Sequence, residues 1–306
     1  HADQAMYSAK EKGRNQYHIF DPDLDEYRRQ RRNQLMELSR ALEHGELELF
    51  FQPQVRVSDN ALIGFEALIR WRHPEHGLLL PHQFLPAVAD SHLETPLGQW
   101  VLKEALQQLN LWRAAGESLG VSINISVQHL LDRNFVPHLE DYLHSHPDVD
   151  PGSITLEVLE TAALKDLKRA SEVLTRCQGL GLQVALDDFG TGFSSLTYLR
   201  TLPVDLIKID QSFVLNMLDD ASDRAIVESV IFLAQRFAHP VLAEGVETME
   251  HASVLREMGC NLVQGFGIAR PMPAADTLAW ARQWRGQAQR QGAGRLSPSL
   301  TGGEGI

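Results

Sequence analysis

Residues 182–188 read LQVALDD, and the chain then offers DLIKID at 205–210, PVLAEGV at 240–246 and LVQGF at 262–266. Each is a short, largely apolar run with a polar residue at or near its end. The segment between the second and third carries Ile226, Val227, Val230, Ile231, Ala234 and Phe237, a spacing that predicts an amphipathic helix. Working back toward the N-terminus adds SITLEVLE (153–160), GVSINIS (120–126), LIGFEALIRW (62–71) and LELFFQPQV (47–55). A second helical stripe, Val101, Leu102, Ala105, Leu106, Leu109 and Trp112, lies between the runs at 62–71 and 120–126. Strand runs alternating with helices predict a mainly parallel sheet, and eight such runs predict a closed barrel. The first two runs stand too close for a helix between them, and SDNALI (58–63) reads as a turn, so that pair is expected to be an antiparallel hairpin. The expected fold is therefore α/β, a modified TIM (β/α)8-type barrel with one antiparallel strand.

The flanks have a different character. Residues 1–21 suit a short helix around Ala5, Met6, Ala9 and Lys10, stopped at Gly13, then a strand from Tyr17 to Phe20. Residues 22–44 read as one charged linker helix with a sparse stripe of Leu35, Leu38 and Leu42; its Arg28, Arg29, Arg31 and Arg32 are taken as a solvated face. The barrel is expected over 45–285. Residues 286–306, rich in Gly, Ser, Gln and Pro, are expected to be a disordered tail. The first residue is His1, so the chain is expected to be a fragment of a longer protein.

Bulk composition excludes several functions. Across 306 residues, 43% hydrophobic and 22% charged content suits a folded core rather than disorder. A net charge of −12 disfavours general binding to DNA or RNA polymers, whose phosphates call for Lys and Arg. Cys177 and Cys260 are the two cysteines and form no CxxC, which suits a reducing cytoplasm. No run approaches the ~18 apolar residues of a membrane helix, so membrane contact is expected only through absent upstream segments.

The chemistry is suggested by where polar residues fall. Glu66, Asn124, Glu157, Asp187 with Asp188, Lys208 with Asp210, Glu244 with Glu247, and Gln264 all lie at or near the C-terminal ends of strand runs. In a barrel these ends converge on one face, where active sites lie. Carboxylates gathered there repel one another unless cations are present. An all-oxygen donor set suits Mg²⁺ or Mn²⁺ rather than zinc, and the adjacent Asp187–Asp188 pair suits a two-metal site for phosphoryl displacement. Lys208 could position the attacking water, and Arg70 could fork onto a substrate phosphate. GTGFSS (190–195) either cradles phosphate or forms a mobile active-site loop, the latter being preferred. Asp188-Phe189-Gly190 spells a kinase triplet, but no HRD or GxGxxG loop accompanies it. His73 and His76, in HPEHG, read as a loop rather than a metal site, and no HExxH occurs among the 13 histidines.

Glu66-Ala67-Leu68, with FFQPQV, FEALIRW, INIS, LDDFGTGFSSLTYL, LIKID, AEGVET and VQGF around it in order, resembles the EAL family over about residues 45–285. The resemblance implies hydrolysis of cyclic di-GMP to linear pGpG with Mg²⁺ or Mn²⁺. It implies that Glu66, Asn124, Glu157 and Asp187 hold one metal, and that Asp187, Asp188 and Glu244 serve the second. It assigns Lys208 and Asp210 to the attacking water, with Glu244 beside them. Substrate contacts are expected from Arg70, Gln54, Gln264 and Leu68. Glu160 is expected to anchor the loop 189–195, which in the family couples homodimer formation to catalysis. Departures from the family pattern at Leu159, Thr161, Phe193 and the stretch Ala89–His92 remove no expected ligand. Residues 1–21 resemble the end of a GGDEF domain. The rival reading is an EAL receptor that binds cyclic di-GMP without cleaving it; the intact ligand set, Lys208 and loop argue for the enzyme.

Overall fold

The structure, a computed structural model, describes residues 22–160, 166–191 and 201–294. The expected helix and strand within 1–21, the departures at Thr161 and Phe193, and most of the GTGFSS loop lie outside the described residues.

The described residues group into two compact units, 22–47 with 71–93 and 48–70 with 94–294. In the first, helix Pro22–His44 buries Leu38 and Ala41. Its Arg31 is not merely solvated: Nε donates to the Ala87 carbonyl at 3.0 Å, and the guanidinium also bonds Ala89 O. Glu46 accepts from Trp71 Nε1 at 3.1 Å, and Trp71 meets Phe84 edge to face. The HPEHG loop is a hairpin turn. His73 Nδ1 accepts the backbone N–H groups of Glu75 and His76, so this histidine closes a turn.

The second unit is the barrel. Its strands are β1 (Leu47–Arg56), β2 (Ala61–His73), β4 (Gly120–Asn124), β5 (Ile154–Leu159), β6 (Gln183–Phe189), β7 (Leu206–Ile209), β8 (Val241–Ala243) and β9 (Leu262–Val263). Neighbours run β1-β9-β8-β7-β6-β5-β4-β2, and β1 also pairs with β2, which closes the ring. From β2 to β9 the pairings are parallel, whereas β1 is antiparallel to β9. This is the eight-stranded barrel with one reversed strand that the eight alternating runs and the short gap between the first two predict.

Alternation along the strands separates two environments. On β1, Phe51 and Val55 face the helical layer, and Phe51 meets Trp112 of helix Glu94–Ala114 at 5.3 Å between ring centroids. Gln52 and Gln54 point the other way, into the barrel, as a period of two requires. On β2, Phe65 packs on Trp112 while Glu66 turns inward. Trp112 also donates to Thr277 Oγ1 at 2.8 Å, tying this layer to helix Ala274–Gly294. Asp205 accepts from Gln178 Nε2 and the Val184 N–H, both at 2.9 Å, so the first acid of DLIKID pins the entry to β7.

Three features depart from the sequence reading. Two short strands, β3 (Gly77–Leu79) and β10 (Met272–Pro273), pair with β2 and β1 respectively. The C-terminal helix continues to Gly294, past the expected onset of the tail at 286. Gln287, Ala288, Gln289, Arg290 and Gln291 are good helix formers, and an existing helix propagates through them at little cost. Residues 295–306 lie outside the described residues. Among the described residues, no helix is long and apolar enough to cross a membrane.

Candidate active site

The barrel's C-terminal mouth is organised around one buried ammonium. Lys208, on β7, is fully buried. Its Nζ lies 2.6 Å from Glu244 Oε1, 2.7 Å from Glu157 Oε2, 3.1 Å from Asp187 Oδ1 and 3.8 Å from Glu66 Oε1. Burial works against the ammonium, but these carboxylates hold it charged and push its pKa well above the ordinary lysine range.

One lysine does not neutralise this cluster. Burial pushes the carboxyl of Glu157 well up, Lys208 opposing and Glu66 and Asp187 adding to the shift. Burial also raises Asp187, and it raises Glu244 to about 8. Asp188 rises to about 6 through burial first, then the charges of Asp187 and Asp210. Burial is the largest cause of each shift, and the neighbouring carboxylates add to it against the opposing charge of Lys208.

Asp187 and Asp188 reach the same spot although successive strand residues ordinarily point to opposite faces. The β6–β7 register slips between Leu186 and Phe189, and Asp188 takes a φ of 53°. This bulge with a left-handed residue turns the second carboxylate back toward the mouth. The Asp188 N–H then donates to Asp187 Oδ1 at 3.0 Å. One ligand atom each from Asp187, Asp188 and Glu244 lie within 4.8 Å of one another.

A second layer of polar groups holds Glu66. Asn124 Nδ2 donates to Glu66 Oε1 at 2.7 Å and reaches Glu157 Oε2 at 3.4 Å. Gln264 Nε2 donates to Glu66 Oε2 at 2.5 Å and to Gln52 Oε1 at 3.0 Å. Gln54 Nε2 donates to Gln264 Oε1 at 3.0 Å, and Ser122 Oγ donates to Gln54 Oε1 at 3.3 Å. Gln52 completes the chain by donating to the Ala269 carbonyl at 3.1 Å.

The remaining expected residues divide. Arg70 is buried on β2, donates to the Ile69 carbonyl at 2.9 Å, and places its guanidinium 5.4 Å from the Phe50 ring centroid. Leu68 is half-buried on the same strand. Asp210 caps helix Gln211–Asn216, accepting from the Ser212 N–H at 3.1 Å and from its hydroxyl, while its charge acts on Asp188. Glu160 is buried and accepts the Gly190 N–H at 3.3 Å. Glu247 is exposed and falls outside the Asp187–Asp188–Glu244 cluster. The strand-end pattern of polar residues does not single out Gln52 and Ser122. The signal was present, since two glutamines spaced by two in FFQPQV occupy the inward face of a barrel strand.

These residues fit a divalent cation. Hard oxygen donors converge with excess negative charge. Glu157 Oε1 is a buried carboxylate oxygen with no hydrogen-bond partner among the described residues, a costly arrangement that a cation would relieve.

A parallel barrel with acids gathered round a lysine at its C-terminal mouth defines an α/β-barrel protein with a cation-binding functional face. The chain belongs to the EAL domain family, whose model matches residues 36–271. It is 38% identical over 279 residues to the bifunctional diguanylate cyclase/cyclic di-GMP phosphodiesterase MucR of Pseudomonas aeruginosa, covering 91% of this chain and 41% of that protein. It is 36% identical over 284 residues to the cyclic di-GMP phosphodiesterase PdeR of Escherichia coli, covering 93% and 43%. The chain thus spans about two fifths of the length of these curated relatives. Among solved structures, the PaMucR phosphodiesterase in complex with c-di-GMP aligns with a TM-score of 0.76 and 38% identity, over 80% of this chain and 99% of that one.

Proposed function

We propose that this chain is a cation-dependent phosphodiesterase that hydrolyses cyclic di-GMP to linear pGpG, lowering a second messenger in the bacterial cytoplasm. The observation that carries the reading is the intact cluster around Lys208, in a family whose relatives bear that activity in their names. A chain that only bound the ligand would not need this crowding of acids, whose burial costs stability.

Glu66, Asn124, Glu157 and Asp187 would hold one cation, Asn124 through its carbonyl oxygen; Asp187, Asp188 and Glu244 would serve a second. Mg²⁺ or Mn²⁺ suits these donors. When bound, such ions neutralise phosphate oxygens and lower the pKa of a coordinated water. The protein's own groups do the remainder. Lys208, held by Glu157 and Glu244, orients the attacking water and carries positive charge where negative charge develops. Asp210 stands beside Asp188 to take up a proton. Arg70 pairs with a substrate phosphate, Gln54 and Leu68 line the substrate's path, and Gln264 keeps Glu66 in one orientation.

The same reading includes a homodimer through the EAL domain. An apolar groove of about 340 Å³ between Phe189–Gly190 and Ile226, Val230 and Leu233 supports it, since Glu160 links Gly190 to β5. Membrane attachment and a cyclase-like neighbour would come from segments of a longer parent protein. The test is turnover of cyclic di-GMP by the purified chain with Mg²⁺, then after exhaustive chelation, then after Ca²⁺ replacement. Turnover lost on chelation and not restored by Ca²⁺ supports the reading; undiminished turnover after chelation overturns it.

A further inference from the structure

Phe266 is a large aromatic residue that the fold leaves half exposed, at 50%, two positions beyond the Gln264 that touches Glu66. Its backbone is fixed. The Gln264 carbonyl accepts from Val246 N at 3.0 Å, Gly267 N donates to Val246 O at 2.8 Å, and Ile268 and Ala269 both donate back to Gly265 O. Gly265 and Gly267 permit this closeness, because a Cβ at either would stand 2.2 Å from Val246 N or 2.6 Å from the Glu247 backbone. The Ala269 carbonyl is tied to Gln52 inside the barrel. The Arg270 guanidinium carbon lies 4.2 Å from the ring centroid, a cation against the aromatic face. An aromatic ring that is exposed, held on a rigid turn and backed by a cation is of little use to the core. It suits a flat partner arriving from solvent, whose stacking then costs little ordering entropy.

We propose that Phe266 is a stacking platform for one guanine base of the substrate, and that Arg270 is a positioning residue that holds the ring ready. The proposal rests on the cyclic di-GMP reading and adds base recognition to a site otherwise built for the phosphodiester. Base–aromatic stacking in single-stranded recognition is large enough that losing the ring should raise KM about tenfold or more. The effect should fall on binding rather than chemistry, because an aromatic ring offers neither a cation ligand nor a proton to the reaction.

The experiment is steady-state kinetics on cyclic di-GMP for the wild type, Phe266→Ala, Phe266→Trp, Arg270→Gln and Arg270→Lys, with sedimentation of each. Expected is a KM about tenfold higher in Phe266→Ala with kcat within about twofold, and a near-normal KM in Phe266→Trp. Arg270→Gln should raise KM by a smaller factor, which Arg270→Lys partly restores through the retained cation. An active wild type with unchanged KM in Phe266→Ala overturns the proposal alone. A lowered kcat at unchanged KM, or a change confined to oligomeric state, overturns it too. An inert wild type overturns the substrate reading and this proposal together.

Discussion

Asp187 and Asp188 are consecutive residues of a β-strand, yet their carboxylates meet within 4.8 Å beside Glu244. The left-handed φ of 53° at Asp188 and the slip in register beside it make this possible. Backbone geometry and ligand chemistry are therefore coupled at one residue. Asn tolerates that conformation well and Ala does not. Asp188→Asn should fold as the wild type does, with weaker divalent-cation affinity, whereas Asp188→Ala should also lose roughly 1–2 kcal/mol of stability. Denaturant titration beside calorimetric Mg²⁺ titration of both variants separates the two effects.

Among the described residues, Lys208 is the cation that pairs with Glu157, Asp187 and Glu244 together. Replacing it with Met removes that charge while keeping much of the volume. The cation-free protein should lose roughly 3–5 kcal/mol, the range for breaking a buried ion pair by deleting one partner. Divalent cation should recover a larger share of stability in Lys208→Met than in the wild type, and kcat should fall far more than substrate affinity. Arg70→Ala should do the opposite, mainly weakening binding. Thermal melts with and without Mg²⁺, and kinetics of both variants, check this; the reverse pattern would exchange the two roles.

The carboxyl of Glu244 titrates at about 8 against an ordinary value of 4.5, through burial first and then the charges of Asp187 and Glu66, which Lys208 opposes. Between these values the folded cation-free chain holds a proton that the unfolded chain has released. Stability must therefore fall as pH rises through that window. A bound cation favours the charged form and should flatten the slope. Melting temperatures across pH 5 to 8, with and without Mg²⁺, test it; the Glu244→Gln variant should lack this part of the slope.

His129 provides the opposite sign elsewhere in the barrel unit. Burial lowers its pKa to about 4 from an ordinary 6.5, and its Nδ1 is buried with no hydrogen-bond partner among the described residues. In that interval the unfolded chain binds the extra proton, so stability is complete above pH 6.5 and drains away as pH falls toward 4, by up to about 3 kcal/mol. His129→Gln should flatten this acid limb of the pH–stability curve. A limb of unchanged slope in the variant would assign it to other groups.

Much of this was legible in the sequence because barrel strands mark themselves twice, by length and by the polar residue at their ends. The reversed β1 could be read from the short gap between its run and the next. Glu66, Asn124, Glu157, Asp187, Lys208 and Glu244 could be placed at one mouth because the topology forces strand ends together. Less local information failed. β3 and β10 are three and two residues long, too short to carry a period. Nothing in LDDFG shows that a bulge turns Asp188 back to join Asp187. The glutamine chain from Gln52 through Gln264 to Glu66 depends on inward facing across distant strands. The helix beyond residue 286 was hidden by glycines that an established helix tolerates.

Glu160 directly follows β5 and accepts the N–H of Gly190, which lies two residues beyond Asp188. Glu160→Ala should release the backbone at Gly190 and lower turnover at least tenfold, while Glu160→Gln, which keeps an acceptor, should retain more. Turnover, Mg²⁺ affinity and sedimentation of the two variants form the check. Near-normal turnover in Glu160→Ala would remove the anchoring role, and lost cation affinity alone would make Glu160 a ligand.

The most direct test of the central claim is the product itself. The purified chain is incubated with cyclic di-GMP and Mg²⁺, and the mixture is resolved by chromatography over time. Conversion to linear pGpG, abolished in Lys208→Met, is the predicted result. Cyclic di-GMP that stays intact while bound stoichiometrically to the protein would contradict it and make the chain a receptor.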